Sequence, residues 1–189
     1  MMRRKLVPFF YPKSVAIIGC SEHNIGGRTL QNMLKSQLWK GDLYPIHLKR
    51  ESIHGVKCYQ KVADIPGEVD CCVIALRSTL VPMALEEMHE KGVHAAVIYA
   101  SGFSEVGEEG RQLQKIVEQK LEEYDIAACG PNCIGLYNAH DGVYLWGDPY
   151  KRENKPGKIG VVAHSGAVSI VLSNSGRDIG YSKVISCGN

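Results

Sequence analysis

Short apolar runs alternate with single helical stretches along most of this chain, and that alternation limits the fold more than any other feature. Residues 14–19 form an apolar run of strand length. Residues 27–38 follow, with Leu30, Met33, Leu34 and Leu38 at helical spacing. Residues 42–47 and 71–76 read as a second and a third strand. Residues 80–91 form a helix carrying Leu80, Ala84, Leu85 and Met88 on one face, with Pro82 in the first turn and Gly92 just past the end. Residues 95–100 are a fourth strand. Residues 107–124 are an amphipathic helix whose first turns are acidic, matching the helix dipole. Residues 126–129 are a fifth, short strand, and 143–146 are expected to add a sixth. Strands that are apolar throughout and separated by single helices imply a parallel sheet covered on both faces. The expected fold is therefore α/β, a doubly wound, Rossmann-like sheet with right-handed crossovers. Its ligand should lie at the carboxyl ends of the strands, where the strand order reverses.

Residues 148–158 are polar and hold Pro149, Pro156 and Gly157. They divide the chain into a first domain, 1–148, a linker, 149–157, and a second unit, 158–189. The second unit reads as a strand at 158–163, a helix at 166–177 and a strand at 183–187. Units below roughly 40 residues rarely bury enough surface to stand alone. This piece is thus expected either to dock on the first domain or to continue past Asn189. The missing helix after the strand at 184–186 favours continuation.

Net charge is +2, which gives no electrostatic case for nucleic acid or for an anionic membrane. No apolar run approaches the roughly 20 residues of a membrane helix. The basic residues 1–5 precede a short apolar stretch broken by Pro8 and Pro12, so they read as a solvated arm and not as a signal peptide. Seven cysteines form no even framework and no zinc spacing. Cys71 and Cys72 are adjacent on a strand and should face opposite sides. A reduced, cytoplasmic setting is expected.

Two glycine-rich turns carry the chemistry. Gly130-Pro131-Asn132-Cys133-Ile134-Gly135 follows the fifth strand, and His164-Ser165-Gly166 opens the last helix. A strand that ends in small residues before a helix aims backbone N–H groups at an anion. The first strand ends Gly19-Cys20-Ser21, and the next glycines are Gly26 and Gly27. That is not the tight dinucleotide turn, and the longer loop leaves room for a bulkier phosphate group. The second strand ends His47-Leu48-Lys49-Arg50, where an NAD site would carry an acidic residue. Lys49 and Arg50 are either surface charges or partners of a ribose phosphate, which coenzyme A carries at the 3′ position and NADP at the 2′ position. An NADP-dependent oxidoreductase would also need a substrate-reducing constellation, and none accompanies the basic end. Ser101-Gly102-Phe103-Ser104-Glu105 lets a ligand approach the backbone after the fourth strand. Glu105 and Glu108 read either as catalytic carboxylates or as helix-start caps.

Pro12 to Gly19, Ser101 to Gly110, Gly130 to Gly135, Ser165-Gly166-Ala167 and Gly188-Asn189 together resemble the CoA-binding part of the NDP-forming acyl-CoA synthetases, relatives of the succinyl-CoA synthetase alpha subunit. The likeness runs from about Phe10 to the end. It implies a ligase that joins an acid to CoA at the expense of an NTP, through an acyl phosphate and a phosphohistidine. It makes 158–189 the start of a flavodoxin-like second domain. CoA is placed near Gly19, Ser21, Gly26, Lys49, Leu76, Ser101 and Gly102, with Asn132 and Cys133 beside its thioester end. His164, Ser165 and Gly166 mark the helix start that faces the phosphohistidine. The phosphohistidine itself, and the ATP-grasp domain or subunit that binds ATP or ADP with magnesium, lie outside this sequence. The chain alone is therefore expected to be inactive, and the complete enzyme is expected to be an oligomer acting on a small carboxylic acid. No metal ligand is assigned to these residues.

Two positions depart from the family pattern. His164 stands where the family has Gln or Arg, and Arg77 stands where it has a small residue or proline. Arg77 either binds a CoA phosphate or blocks the pocket. His164 either bonds to phosphate or the neighbouring loop, packs, or carries phosphate itself. Cys133 reads as a lining residue, with nucleophilic catalysis as the other reading. A non-catalytic CoA-binding or regulatory module, as in an acyltransferase fusion, is the alternative function.

Overall fold

A computed structural model describes residues 2–149, 156–174 and 179–189. The elements in order are α1 (Met2–Phe10), β1 (Ser14–Ile18), α2 (Ile25–Lys35), β2 (Asp42–Ile46), β3 (Ser52–Ile53), β4 (Val56–Lys57), β5 (Cys71–Ile74), α3 (Val81–Lys91), β6 (Ala95–Ile98), α4 (Glu108–Glu123), β7 (Ala127–Cys129), β8 (Gly135–Asn138), β9 (Val143–Trp146), β10 (Pro156–Ala163), α5 (Gly166–Ser173) and β11 (Tyr181–Ser186).

β2, β1, β5, β6 and β7 form one parallel sheet in that spatial order. The order reverses between β1 and β5, which is the switch point of a doubly wound sheet. Alternate residues feed two cores. Val15, Ile17, Cys71, Val73, Ala95 and Val97 face one side, and Ala16, Ile18, Cys72, Ile74, Ala96 and Ile98 face the other. Cys71 and Cys72 thus point to opposite faces, as adjacent strand residues must. All seven cysteines are free thiols.

The expected sixth strand, 143–146, does not extend this sheet. β9 pairs antiparallel with β8, and β8 pairs antiparallel with β11, giving a second sheet in the order β10, β11, β8, β9. β10, α5 and β11 do form the expected parallel unit. That unit gains two antiparallel strands from upstream of the linker, so it docks on the preceding residues. Of the linker, residues 150–155 lie outside the described residues, and Pro156 and Gly157 already belong to β10. The helix expected at 166–177 is described as far as Ser173, and residues 175–178 lie outside the described residues.

α2 joins the two sheets. Leu30 and Met33 are buried as expected, but Leu34 and Leu38 are exposed. The inward stripe instead takes in Thr29 and Asn32, whose burial requires partners. They find them on β9: the Trp146 carbonyl accepts from Thr29 Oγ1 at 3.2 Å and from Asn32 Nδ2 at 2.8 Å. The basic residues 3–5 fall within α1. α1 buries Phe9, and the Phe10 carbonyl accepts from Asn138 Nδ2 at 2.9 Å.

Candidate functional site

Among the described residues, three shallow grooves of similar size stand out. One, of about 520 Å³, lies by Gly67–Asp70 and Glu90–His94, and another, of about 480 Å³, by Tyr11–Lys13 and Leu38–Asp42. Both lie where strands β2, β5 and β6 begin. The third, also about 480 Å³, lies where β5 and β6 end and is lined by Ile25, Ala75 to Thr79 and Tyr99 to Ser101. Size does not separate them. Topology does, because open parallel sheets bind ligands outside the carboxyl ends of their strands at the switch point.

One side of this groove is the loop after β1, and Asn24 shapes it. As N-cap of α2, Asn24 Oδ1 accepts from Gly27 N at 2.9 Å and from Ser21 N at 3.1 Å, while its Nδ2 donates to the Gly19 carbonyl at 2.7 Å. Side-chain acceptors at this position satisfy donors the helix leaves unpaired. Gly19 has a φ of +78°, and a Cβ there would run into Leu76 and lie 2.8 Å from the Ala75 carbonyl oxygen. Gly26 is buried against Ala75. Gly27 passes so close beneath the Ser21 carbonyl that any Cβ would overlap its oxygen. The glycines therefore serve the close seating of the helix start against β1 and β5. Cys20, inside this loop, is no thiolate, since burial pushes its thiol up to about 12, with a smaller push from Cys58.

The floor of the groove contains Tyr99. Its hydroxyl lies 2.9 Å from Thr29 Oγ1 and, being buried, titrates well above the ordinary tyrosine range. Leu76 and Ser101 line the groove. Arg77 lines it too and is exposed. On the far side of the β1 loop, Lys49 and Arg50 follow β2, and Arg50 lies 3.7 Å from Glu22.

At the other end the remaining turns meet. Asn132, in the left-handed region at φ +57°, donates its N–H to the Ala100 carbonyl at 2.8 Å. Its Nδ2 donates to Asn189 Oδ1 at 3.2 Å, and the Asn189 N–H donates to the Pro131 carbonyl at 2.9 Å. Asn189 Nδ2 in turn donates to Glu105 at 2.6 Å. Glu105 also accepts from Gly102 N at 2.6 Å and from Phe103 N at 3.1 Å. Partial desolvation opposes its charge, but the bonds from Gly102, Asn189 and Phe103 outweigh it and hold the carboxyl below its ordinary range. Glu105 is thus a staple for its own loop. Neither the catalytic nor the helix-cap reading anticipated that; Glu108, by contrast, lies in the first turn of α4 and pairs with Arg111 at 2.9 Å.

Cys133 does not line the groove. It is buried, and its thiol donates to the Ile98 carbonyl at 3.3 Å. Hydrogen bonding with Cys129, then burial, keep that thiol well above the ordinary range, which argues against a nucleophile. Ser165 caps α5, its Oγ accepting from Val168 N at 3.4 Å, and Gly166 abuts Ile134. The Ile134 carbonyl accepts from Gly147 N at 2.8 Å, and Gly147 packs on Ile25. The starts of α5 and α2, Gly166 and Ile25, are therefore linked through Ile134 and Gly147. His164, two residues before Gly166, is exposed. Asn24, Ile25 and Tyr99 escaped the sequence reading. An asparagine three residues before Gly27 is an N-cap signal, hidden by starting the helix at 27.

A family model described as a CoA binding domain matches residues 13–139. The chain belongs to this CoA-binding domain family. The chain is 36% identical over 185 residues to the acetate–CoA ligase [ADP-forming] II subunit alpha of Pyrococcus furiosus, covering 96% of this chain and 39% of that protein. It is 35% identical to the 4-hydroxybutyrate–CoA ligase [ADP-forming] of Nitrosopumilus maritimus, over 96% of this chain and 26% of the relative. Among solved structures, acetyl-coenzyme A synthetase 1 of Ca. Korarchaeum cryptofilum in complex with phosphate and ADP superposes with a TM-score of 0.87 at 31% identity, over 97% of this chain and 39% of that one. The chain thus spans between a quarter and two fifths of the length of these proteins. Among the described residues, no helix is long and apolar enough to cross a membrane.

Proposed function

We propose that the chain is the CoA-binding portion of an ADP-forming acyl-CoA ligase. The observation that carries this reading is the groove beside the β1/β5 switch point, bordered by the capped start of α2 and by Arg77, with Lys49 and Arg50 across the loop after β1. CoA fits these residues in charge and shape. The start of α2 and the Asn24-held loop offer backbone N–H groups to its diphosphate. Lys49 and Arg50 offer positive charge to its ribose phosphate. Ala75, Leu76, Tyr99 and Ala100 offer an apolar wall to its pantetheine arm, which leads toward Asn132 and Ser101. CoA supplies the thiol that accepts the acyl group. The chain's own residues bind and orient that arm, and the start of α5 holds a phosphate-bearing group by its dipole, a contribution of roughly 0.3–1 kcal/mol. His164 serves that same end as a hydrogen-bond donor. The relatives act on acetate and on 4-hydroxybutyrate, so the choice of acid is assigned to parts of the enzyme beyond this domain. The rest of the assembly, with nucleotide, magnesium and an ATP-grasp partner, is part of the same proposal.

Titration calorimetry with CoA and with dephospho-CoA tests it. CoA should bind, and more tightly than dephospho-CoA. Heat with neither ligand, or with NADP alone, would contradict the proposal.

A further inference from the structure

His47 has no part in the CoA contacts proposed so far, yet its geometry is specific. Directly after β2, His47 Nδ1 accepts from the backbone N–H groups of both Lys49 and Arg50, each at 3.1 Å. Its own backbone N–H donates to the Tyr59 carbonyl at 2.9 Å, which anchors the residue. Nδ1 can accept only when it carries no proton, so the ring hydrogen sits on Nε2. The imidazole closes the run from 47 to 50 into a turn, as an asparagine side chain does in an Asx turn. Histidine Nδ1 and asparagine Oδ1 are each three bonds from Cα, so they reach the same place. Closing the turn fixes where the Lys49 and Arg50 side chains leave the backbone. That turn borders the loop after β1, because Cys20 N donates to the Ile46 carbonyl at 3.2 Å and Arg50 meets Glu22. Among the described residues, no ion pair engages Lys49.

We propose that His47 is a positioning residue that sets the preference for a ligand phosphorylated on its ribose, by presenting Lys49 and Arg50 together beside the loop after β1. The proposal rests on the CoA reading. It assigns the discrimination between CoA and dephospho-CoA to a side chain that touches neither.

The test is calorimetry on the full chain at one salt concentration, with CoA and dephospho-CoA, comparing wild type with His47→Ala, His47→Gln and His47→Asn. Charge-assisted bonds to phosphate make the expected loss of CoA affinity in His47→Ala roughly tenfold. Dephospho-CoA affinity should not change, so the ratio of the two collapses. His47→Gln, whose acceptor lies one bond further out, should behave like His47→Ala and serves if that variant fails to fold. His47→Asn should restore the ratio. Equal weakening of both ligands, or a ratio unchanged in His47→Ala and His47→Gln, would overturn this proposal while leaving the CoA reading intact. A wild type that binds neither ligand would overturn both.

Discussion

Replacing Trp146 by alanine is expected to lower the stability of the whole chain by about 3–5 kcal/mol, the usual range for a fully buried aromatic. Trp146 is 1% exposed and meets Tyr137 edge to face at 5.5 Å. It belongs to the second sheet, but its carbonyl holds Thr29 and Asn32 of α2, which covers the first sheet. The two sheets should therefore unfold together. For a chain of this size, each kcal/mol moves the melting temperature by roughly 2–4 °C, so the variant should melt about 6–20 °C lower. The variant retains one tryptophan, Trp39, whose Nε1 donates to the Pro12 carbonyl just before β1. Trp39 fluorescence then reports on the parallel sheet. A Trp39 transition that does not move in Trp146→Ala would mean that the second sheet folds separately, contrary to the packing described.

The second large effect concerns the site. Gly27→Ala places a methyl group where the Ser21 carbonyl oxygen lies, and the backbone on both sides is fixed by Asn24. The loop has to open or the helix start has to retreat. Overpacking of this kind costs roughly 1–3 kcal/mol. CoA affinity should fall by more than stability alone accounts for, because the loop and helix start that shift are those proposed to hold the diphosphate. Gly92→Ala is the matched control. Gly92 has a φ of +77°, with open space around its Cβ position, at the end of α3. It should cost on the order of 1 kcal/mol through backbone strain while leaving CoA affinity alone. Equal affinities for the two variants would show that the Gly27 contact has no part in binding.

The parallel sheet was legible because its strands are buried on both faces. Runs such as Cys71–Ile74 and Ala95–Ile98 carry no charged or strongly polar residue, so neither side of the strand can face water. The second sheet was not legible, for a related reason. Val143–Trp146 is just as apolar, and an apolar run does not say which sheet it joins. Only the pairing of β8 with both β9 and β11 decides that. Leu34 was misplaced because its spacing fits a helix face, whereas the buried face of α2 is partly polar, with Thr29 and Asn32 satisfied by a distant strand; Leu38 was misplaced because α2 ends at Lys35, before it. Of the site residues, Gly19, Ser21, Leu76 and Ser101 converge on the crest of the sheet as expected from strand ends. Cys133 does not, because its side chain turns inward beneath the turn while Asn132 remains above it. Asn24, His47 and Glu105 act through bonds to backbone N–H groups, and such roles depend on local turn geometry more than on residue pattern.

The most direct test of CoA binding at the switch point is a map of backbone amide shifts in the isotopically labelled chain as CoA is added. The perturbed amides should cluster at residues 19–27, 47–50, 75–79 and 99–102, with the opposite ends of the strands silent. Shifts centred on residues 67–70 and 90–94, around the equally large groove at the other end of the sheet, would contradict that placement.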